Sequence, residues 1–486
     1  MYHQSVHRTP ALCMLFFFTL SLLFVPHVNA QEKGSPENPY IIATDTTFAP
    51  FEFANQAGDF VGIDMDILEV IATEEGFSYE VKPLGFNAAL QALESNQADG
   101  MIAGMGITPA RQEIFDFSIP YYEAGAQFAV LENSDIQTLE DLAGKNIAAK
   151  TGTTGSAVAE QVAAEYGFNV TLFEDSVNMY EDLQAGNSVA VIEDYPVMAY
   201  AAKTGGIPLR FIGEQMEVTQ YGFAVNKGRN QELLQMFNDG LLALQESDEL
   251  EAIIYNYLGE ENTEAQASSG FFGLLRTNSS ALLEGLWSTV WVTLVSFAIA
   301  AVIGVFIGLM RVSDANLLRT IAQVYIDMMR GIPLIVLAFF IYFGIPQMTG
   351  LSFNAYIAGI ITLSLNAGAY IAEIVRGGIQ AVDKGQNEAG RSLGLSSAIT
   401  MRKIILPQAF KIMVPSFINQ FVITLKDTSI LSVIGLVELT QTGRIIIART
   451  YQSGQIWLII GLIYIIVITL LTKLSNYLEK EWISNE

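Results

Sequence analysis

The spacing of apolar and polar residues divides the chain into two parts that meet near Gly270. Before that point, short β-rich runs such as Tyr40–Thr44 and Gly100–Met105 alternate with helical patterns such as Asp64–Glu75. This alternation predicts an α/β fold with largely parallel sheets. The length of this part suits two small lobes, and folds of this kind usually bind ligands in the crevice at the carboxyl ends of their strands.

From Phe271 onward, long apolar stretches predict an all-α domain with five membrane spans. Each stretch is long enough to cross a hydrocarbon core of about 30 Å. Lys and Arg are concentrated after spans one and three, whereas the segment after span two carries no charge, so the positive-inside rule predicts an external first domain and a cytoplasmic C-terminus. The predicted spans are Trp287–Met310, Ile321–Ile345, Ala355–Ile374, Val414–Val437 and Trp457–Leu474.

The N-terminus has the pattern of a secretory signal peptide. Arg8 lies in a short polar region, Ala11–Val25 forms an apolar core, and Val28-Asn29-Ala30 is a small-residue cleavage site. Cleavage there would remove Cys13, the only cysteine, so we expect the mature chain to fold without a disulfide. The alternative is an N-terminal membrane helix that is retained.

Charge is distributed as unevenly as hydrophobicity. Residues 1–270 carry 10 Lys+Arg against 39 Asp+Glu, a net charge of −29, whereas residues 271–486 carry 15 against 11, a net charge of +4. An acidic first half argues against a nucleic-acid partner, because phosphate contacts need clustered Lys and Arg. Such acidity serves either solubility or the steering of a cationic solute.

The most specific motif lies in the long basic loop between predicted spans three and four. It consists of Glu388-Ala389-Gly390, then Gly394, then Ile404, Leu406 and Pro407. A short helix bounded by Gly394 and Pro407 would lie on the cytoplasmic face and dock into a groove of a soluble partner. The spacing resembles the EAA loop of permeases of ATP-binding-cassette importers, which have a second Ala where this chain has Gly390. The alternative is a plain amphipathic surface helix.

Further segments resemble the polar-amino-acid branch of that permease family, and the resemblance covers nearly all of Ala281–Tyr477. Glu373, Lys426 and Asp427 fall at or near span depth, where an ionisable residue is costly and indicates either a function or a structural ion pair. The segments that carry the resemblance are Arg330–Leu334, Tyr370–Gly378 and Leu425–Ser429.

The chain lacks the P-loop that binds nucleotides. The glycine-rich segment Gly152–Ser156 does not have the Gly-Lys-Ser/Thr ending of that motif. The resemblance therefore implies that a separate cytoplasmic ATPase subunit hydrolyses ATP, and that it docks on the EAA-like loop. A complete translocation path is expected to need a second permease copy, most simply as a homodimer.

The soluble half contains the residue types that a free amino acid requires. A carboxylate and an ammonium stripped of water need an Arg fork and an acid as partners. The segment from about Tyr40 to Gly259 resembles the two-lobe, type II periplasmic binding proteins for polar amino acids, the glutamine binders above all. The matching segments are Ala43–Phe53, Gly62–Asp66, Gly104–Arg111 and Phe115–Ser118.

The resemblance assigns the ligand's charged groups to four residues. Arg111 would clamp the carboxylate and Asp194 the ammonium, while backbone groups of Gly104 and Gly106 would add hydrogen bonds. The family often has Ser or Thr in place of Gly106, so a hydroxyl contact there is absent. The plain alternatives are a surface ion pair for Arg111 and a helix cap for Asp194.

Four further residues would complete the site according to the same resemblance. Thr153 and Thr154, at the start of a second-lobe helix, would help to hold the carboxylate, because helix N-termini favour anions. Phe48 and Phe86 would sandwich the ligand side chain. The alternative for the two phenylalanines is ordinary core packing.

The residues expected at the side-chain end leave the substrate open. Asp45 and Lys150 match positions used by glutamine-binding relatives, and together they would read a side-chain amide. Lys150 would repel a cationic side chain, but Glu193 adds a second acid that suits one. Glutamine is therefore ranked first, arginine or lysine second, and glutamate, which would face both acids, third.

Two other function classes, a ligand-sensing receptor and an enzyme, fit the sequence less well than an importer. A ligand-sensing receptor would need one or two spans and a cytoplasmic signalling domain. An enzyme would need catalytic groups, but the histidines are only His3, His7 and His27, all in or beside the signal region, so the commonest general base is missing from the expected mature chain. No cofactor or metal site is expected.

These predictions give the organisation expected for a subunit of the cell membrane, with its binding domain outside and its C-terminus in the cytoplasm. The expected partners are a polar amino acid, the ATPase subunit, a second permease copy and the lipid membrane. The predicted segments are a signal peptide at 1–30, an amino-acid-binding domain at 31–262, a linker at 263–280, a membrane domain at 281–478 and a tail at 479–486.

Overall fold

The computed structural model describes residues 33–55, 58–259, 270–351 and 353–483. The predicted signal peptide at 1–30 and much of the predicted linker lie outside the described residues. The elements of the soluble half follow one another as the alternating pattern predicts. They are β1 (Tyr40–Thr44), β2 (Phe53–Ala54), β3 (Phe60–Val61), α1 (Ile63–Glu75), β4 (Tyr79–Pro83), α2 (Phe86–Glu94), β5 (Gly100–Met101), α3 (Pro109–Gln112), β6 (Phe115–Phe117), β7 (Tyr122–Leu131), β8 (Asn146–Lys150), α4 (Thr154–Tyr166), β9 (Asn169–Phe173), α5 (Ser176–Gln184), β10 (Ala190–Asp194), α6 (Tyr195–Thr204), β11 (Leu209–Tyr221), β12 (Ala224–Asn226), α7 (Gln231–Glu246) and α8 (Glu249–Leu258).

Two five-stranded sheets form the cores of two lobes. The first has the strand order β4-β1-β5-β12-β6, and the second has the order β11-β7-β10-β8-β9. Strand β1 pairs in parallel with β4 and β5, and β8 pairs in parallel with β9 and β10. The last strand of the first lobe, β12, returns antiparallel to β5 and β6. The prediction of an α/β, two-lobe domain is therefore confirmed. The sheets are mixed and not largely parallel, because β7 also pairs antiparallel with β10 and β11, which gives four parallel and four antiparallel pairings in these two sheets.

The lobes are connected by strands β7 and β11, which pair with each other along their whole length. Their antiparallel register runs from Leu209 opposite Leu131 to Tyr221 opposite Tyr122, with two register shifts between Ile212 and Thr219. Register shifts of this kind bend a strand and increase its twist. The paired strands therefore form a bent ribbon about which the lobes can rotate.

The membrane half is helical throughout the described residues. Four of its helices, or stretches of consecutive helices, are long and apolar enough to span a bilayer, and a bent pair makes a fifth candidate. Its elements are α9 (Phe271–Thr277), α10 (Ser279–Arg311), α11 (Asn316–Gly331), α12 (Leu334–Phe339), a π-helical turn (Phe340–Gly344), α13 (Ile345–Thr349), α14 (Ala355–Ala381), α15 (Lys384–Ser392), α16 (Ser397–Thr400), a π-helical turn (Met401–Ile405), α17 (Leu406–Asp427), a 3₁₀ segment (Thr428–Ile434), α18 (Leu439–Thr450) and α19 (Ser453–Ile483).

The predicted second span at Ile321–Ile345 is sharply bent in the structure. Helix α11 and the helical stretch from Leu334 to Thr349 meet at an angle of 103°. Ile332 and Pro333 between them have extended backbone angles. Proline lacks the N–H of a continuing helix and drives the residue before it out of the helical region.

Two predicted boundaries also differ from the structure. The C-terminal part of the predicted linker at 263–280 is helical, because Leu274 of α9 is buried among apolar residues of α10, α18 and α19. The helix predicted between Gly394 and Pro407 starts at Ser397 in α16, after the turn at Gly394, whose φ is +76°. It does not end at Pro407, which stands in the first turn of α17, because the helical stretch continues through the π-helical turn into α17. The π-helical turn directly before α17 provides a local widening at which the missing N–H of Pro407 is accommodated.

Helix contacts distinguish the two ends of the membrane domain. Gly304 and Gly308 of α10 lie against Ile371 and Val375 of α14, so these two long helices run in the same direction. Gly285, near the start of α10, instead lies against α18. The EAA-like loop therefore follows the far end of α14, at the opposite end of the domain from α18.

The ionisable residue Glu373 on α14 has a partner one turn away. Its carboxylate accepts hydrogen bonds from Arg376 at 2.8 to 3.1 Å. The structure therefore favours the structural ion pair among the two alternatives for this residue.

Candidate functional site

The crevice between the lobes brings the residues assigned to the ligand's charged groups together. Arg111, in the short helix α3 of the first lobe, donates from Nη1 to the carbonyl of Gly106 at 2.7 Å and from Nη2 to the carbonyl of Gly152 in the second lobe at 3.0 Å. Its guanidinium lies 5.3 Å from the centre of the Phe86 ring. Burial lowers the pKa of Arg111, and Asp194 opposes that shift. Arg111 is thus an oriented cation that bridges both lobes, and not a surface ion pair.

Asp194 stands at the carboxyl end of β10, directly before α6, and faces the same crevice. The hydroxyl of Tyr221 donates a hydrogen bond to its Oδ2. Burial raises the pKa of Asp194, while the Tyr221 hydrogen bond and Arg111 oppose the shift. Its side chain makes no helix-capping hydrogen bond, so the capping alternative is wrong.

Phe48, Gly104 and Gly106 form a tightly packed wall of the first lobe. The Phe48 ring lies so close to Gly104 that a Cβ there would collide with it, and the φ of Gly104 is +51°. A Cβ on Gly106 would come within 2.7 Å of the Thr219 hydroxyl and 3.3 Å of the Thr154 hydroxyl. Gly104 is therefore required by the close approach of Phe48 within the first lobe, and Gly106 by the close approach of Thr219 and of Thr154 in the second lobe.

Thr153 and Thr154 start helix α4 at the second-lobe side of the crevice. The hydroxyl of Thr153 accepts a hydrogen bond from the backbone N–H of Ser156 at 3.2 Å and donates one to the carbonyl of Lys150 at 2.7 Å. Thr153 is thus the N-cap of α4, and its side chain already has two partners. What this terminus offers an anion is the positive end of the helix.

The predicted side-chain end is a buried charge cluster that joins the lobes. Lys150, at the end of β8, forms an ion pair with Asp45 of the first lobe, and both side chains are fully buried. The Lys150 ammonium also lies 3.4 Å from Thr47 Oγ1, 3.3 Å from Ser176 Oγ and 5.1 Å from the centre of the Phe48 ring. Burial alone would lower the pKa of Lys150, but Asp45 and Glu193 raise it. The lysine is therefore charged.

Glu193 approaches this cluster from strand β10. Burial raises its pKa to about 7, with Lys150 acting in the opposite direction. Its Oε2 atom is buried without a hydrogen-bond donor among the described residues. A carboxyl group of this kind is protonated or ionised depending on what occupies the space beside it.

Sequence reasoning missed three participants. Tyr221 holds Asp194, and Thr47 and Ser176 complete the donors and acceptors around Lys150. Thr47 lies inside a segment that carried the resemblance, and Ser176 begins a helix, so both positions could have been suspected. Nothing in the local sequence of Tyr221 indicates its role, because its partner is set by the pairing of β11 with β7.

Both lobes of the soluble domain lie against the same end of the membrane domain. In the first lobe, Gln97 Nε2 donates to the carbonyl of Tyr342 at 2.9 Å, and Leu84 packs on Gly435. In the second lobe, Gly205 and Tyr180 pack against Tyr451, the latter with ring centres 6.3 Å apart. Asp175 additionally lies 3.9 Å from Arg444 of α18. The membrane domain therefore contacts the two lobes through separate segments.

The EAA-like loop lies at the other end and presents an exposed surface. Glu388, Ala389 and Gly394 are exposed. Gly390 is buried, and a Cβ atom added to it would lie 2.8 Å from the Thr400 side chain. Leu393, between α15 and Gly394, is 78% exposed. Ile404 is partly buried and Leu406 and Pro407 follow at the start of α17.

Within the residues that the structure describes, no group of three His, Cys, Asp or Glu side chains has the arrangement of a metal site. The charged groups of the crevice are instead arranged in complementary pairs, with Arg111 near Asp194 and Lys150 with Asp45. This arrangement offers a cation, an acid, an aromatic wall and a polar far end in one enclosed space.

Comparison with known proteins divides the chain at the same place. Residues 40–260 match the bacterial extracellular solute-binding proteins, family 3, and residues 300–483 match the binding-protein-dependent transport system inner membrane component. The glutamine transport system permease protein GlnP of Escherichia coli is 38% identical over 200 residues, which is 41% of this chain and 91% of the relative. The arginine transport system permease protein ArtQ of Bacillus subtilis is 36% identical over 205 residues, 42% of this chain and 94% of the relative.

Among solved structures, the substrate-binding domain 2 of Lactococcus lactis GlnP in an open conformation is 41% identical, with 47% of this chain and 99% of that domain covered and a TM-score of 0.36. The family models and the permease relatives carry the assignment, and they indicate transport and not catalysis. The chain belongs to the binding-protein-dependent membrane components of ATP-binding-cassette importers, with a family 3 solute-binding domain fused in front of its permease domain.

Proposed function

We propose that this chain captures a polar amino acid outside the cell and passes it inward through its own permease domain, and that the amino acid is glutamine. The observation that carries the proposal is the fully buried ion pair of Lys150 with Asp45 at the far end of the crevice. The end nearer Arg111 and Asp194 supplies one charge of each sign, as the carboxylate and ammonium of an amino acid require.

The charge balance at the far end favours a neutral side chain. Lys150 offsets Asp45, and Glu193, with a pKa of about 7, is uncharged in a large fraction of molecules near neutrality. An amide that accepts from Lys150 and donates to an acid would add no charge to this buried space. A cationic side chain would place a second cation beside Lys150, which is unfavourable in a low-dielectric site.

A basic amino acid is the second candidate, because a specific observation favours it. Lys150 lies beside the acids Asp45 and Glu193. If Lys150 withdrew from this cluster, the remaining acids would suit arginine or lysine. The permease relatives include transporters named for glutamine and for arginine, so both substrates are compatible with the family.

Substitution of Lys150 distinguishes the two candidates. Lys150→Met in the full chain, in lipid nanodiscs, should weaken glutamine binding and create arginine binding, because Asp45 is then left without its counter-ion. Lys145→Met, in the exposed position before β8, is the matched control and should change neither affinity. If wild type already binds arginine more tightly than glutamine, and Glu193→Gln removes that binding, the substrate is basic.

The docked arrangement supports a complete transport cycle. Closure of lobes about a hinge is a common response to ligand, and the membrane domain contacts both lobes of the closed domain. Docking at one end and the EAA-like loop at the other agree with a binding domain outside the cell and a separate ATPase subunit inside. A second permease copy, forming a homodimer, would complete the translocation path. The covalent linker between the two domains raises the effective concentration of the binding domain at the permease, roughly to millimolar.

A further inference from the structure

Two carboxyl groups lie behind the ligand crevice, in the core of the first lobe. Glu52 follows the Phe48 loop, and Asp64 lies in the first turn of α1. Both side chains have no exposed surface, and the backbone N–H of Asp64 donates to the carbonyl of Phe51, the residue before Glu52, at 2.9 Å. The two carboxyl groups lie close enough for each to shift the pKa of the other. Neither is a residue that contacts the crevice in the site described above.

The hydrogen bonds of the pair are incomplete unless one group carries a proton. Asp64 Oδ2 accepts from the backbone N–H of Gly104 at 2.7 Å and from the hydroxyl of Tyr121 at 2.9 Å. Asp64 Oδ1 and both carboxyl oxygens of Glu52 are buried without a donor among the described residues. A carboxylate has no hydrogen to donate, whereas a protonated carboxyl group has one.

Each member of the pair supports a different part of the ligand wall. The backbone of Glu52 pairs with that of Phe48, whose N–H donates to the Glu52 carbonyl at 3.2 Å. Asp64 holds the N–H of Gly104, and the Phe48 ring packs directly on Gly104. The proximity of the two carboxyl groups therefore joins the Phe48 loop to the Gly104 turn.

We propose that Glu52 and Asp64 share one proton, and that this singly protonated pair positions Phe48 and Gly104 for ligand binding. They are positioning residues that act through the wall they support. If both groups ionised, two adjacent buried anions would face each other and Asp45, and the loop and the turn would be driven apart. Ligand affinity should therefore fall as the shared proton is lost.

The electrostatic surroundings agree with a retained proton. Burial, then Asp64 and Asp45, raise the pKa of Glu52 well above its ordinary value, and Lys150 is the group that lowers it. Burial raises the pKa of Asp64 to about 7, against the lowering effect of its hydrogen bonds from Gly104 and Tyr121. The hydroxyls of Tyr121 and Tyr221 also face the pair, and burial raises the pKa of both well above the ordinary value for tyrosine.

The sign of the pH dependence follows from proton linkage. The folded pair binds a proton that ordinary carboxyl groups release above about pH 4 to 5. Stability contributed by the pair is greatest at low pH and falls as pH rises, because the native state holds more protons than the unfolded state. One linked proton changes the unfolding or binding constant by at most about tenfold per pH unit.

The test uses the full chain in lipid nanodiscs. The test variant is Glu52→Gln, whose amide supplies a hydrogen-bond donor at every pH. The control is Glu69→Gln, at an exposed position of α1 on the same side of the domain. Infrared difference spectra between about pH 6 and pH 9, recorded without amino acid, should show loss of a protonated carboxyl C=O band in wild type and in Glu69→Gln. This band should be smaller by one group in Glu52→Gln. If the spectra of wild type and Glu52→Gln change identically, the shared proton does not exist.

The functional readout rests on the proposed glutamine binding and is recorded separately. The glutamine affinity of the wild type should fall by up to about tenfold per pH unit at alkaline pH. Glu52→Gln should bind glutamine with near wild-type affinity at about pH 6, and its affinity should change less with pH than that of the wild type. Glu69→Gln should keep the wild-type slope. If Glu52→Gln does not fold, Asp64→Asn supplies the same donor and should flatten the profile. An unchanged slope in the folded variant overturns the positioning role, whereas failure of glutamine to bind at any pH overturns only the proposed substrate.

Discussion

At the scale of single residues, the crevice combines one fully buried ion pair with two further charges of opposite sign. Lys150 and Asp45 form the ion pair at one end, and Arg111 and Asp194 lie near enough at the other end to influence each other. Removing one partner of a buried pair leaves the other desolvated and uncompensated, which is far more costly than removing an exposed charge. Single substitutions in the crevice should therefore have large and selective effects.

Arg111→Ala should abolish measurable binding of every amino acid. The variant loses the fork for the ligand carboxylate and also the hydrogen bond to Gly152 that holds the lobes together. Loss of one partner of a buried ion pair costs about 3 to 5 kcal/mol, or roughly a hundredfold or more in affinity. Calorimetric titration measures the loss, and the exposed Arg229→Ala is the control. Retention of affinity within a few-fold would show that Arg111 does not bind the carboxylate.

At this scale, the sequence predicted which residues face the crevice better than it predicted their partners. The resemblance assigned Arg111 and Asp194 to one site, and the structure brings both to the crevice, while their roles toward a ligand stay predictions. The ion pair between Lys150 and Asp45 joins residues 105 positions apart. Such a pairing depends on how the lobes close, which no local pattern contains.

At the scale of elements, the loop after α14 is built to expose a small apolar surface. Helix α15 is amphipathic, its Gly390 is buried on Thr400, and Leu393 projects into solvent at the turn that follows. An exposed large apolar side chain beside a helix end suits insertion into a groove of another protein. This loop is therefore the expected docking element for the ATPase.

Leu393→Asp should prevent the ATPase subunit from copurifying with the chain while leaving amino-acid binding unchanged. A charge inserted into an apolar groove without a partner is strongly unfavourable. Ala315→Asp, in the loop after α10 and exposed at the same end of the domain, is the matched control. Normal copurification of the Leu393 variant would place the docking element elsewhere.

Tyr451→Ala should uncouple ligand binding from transport. The Tyr451 ring fills the space against Gly205 and Tyr180 of the second lobe, so its loss removes that lobe's aromatic contact with the permease. Glutamine affinity should stay within a few-fold of wild type, whereas glutamine-stimulated ATP hydrolysis and uptake in proteoliposomes should drop. Tyr255→Ala, at an exposed position of α8, is the control. Full stimulation by the Tyr451 variant would show that this contact is not used.

Element boundaries were predicted well where periodicity is strong and poorly where proline intervenes. The spans at α10, α14 and α19 follow from continuous apolar stretches. The second span breaks at Ile332-Pro333, and Pro407 lies inside a helical stretch that a π-helical turn accommodates. Proline marks a constraint on the backbone, but the neighbouring structure decides whether the helix breaks or adapts.

At the scale of the whole molecule, the soluble domain and the EAA-like loop lie at opposite ends of the membrane domain. The soluble domain contacts the end of the membrane domain near Gly435 and Tyr451, and the EAA-like loop lies beyond the far end of α14. Helix α14 alone, at about 1.5 Å per residue, spans roughly 40 Å. In the proposed cycle, ligand-induced closure and nucleotide-driven movement would therefore act on opposite ends of the same helices.

The central claim is that the crevice is an amino-acid site with glutamine as its ligand. The most direct measurement is a calorimetric titration of the full chain in lipid nanodiscs with glutamine, arginine, lysine and glutamate in parallel. We expect saturable binding of glutamine. Arginine and lysine should bind at least about tenfold more weakly, a difference of about 1.4 kcal/mol in binding free energy. Tighter binding of arginine or lysine than of glutamine, or no binding of any of the four, would contradict it.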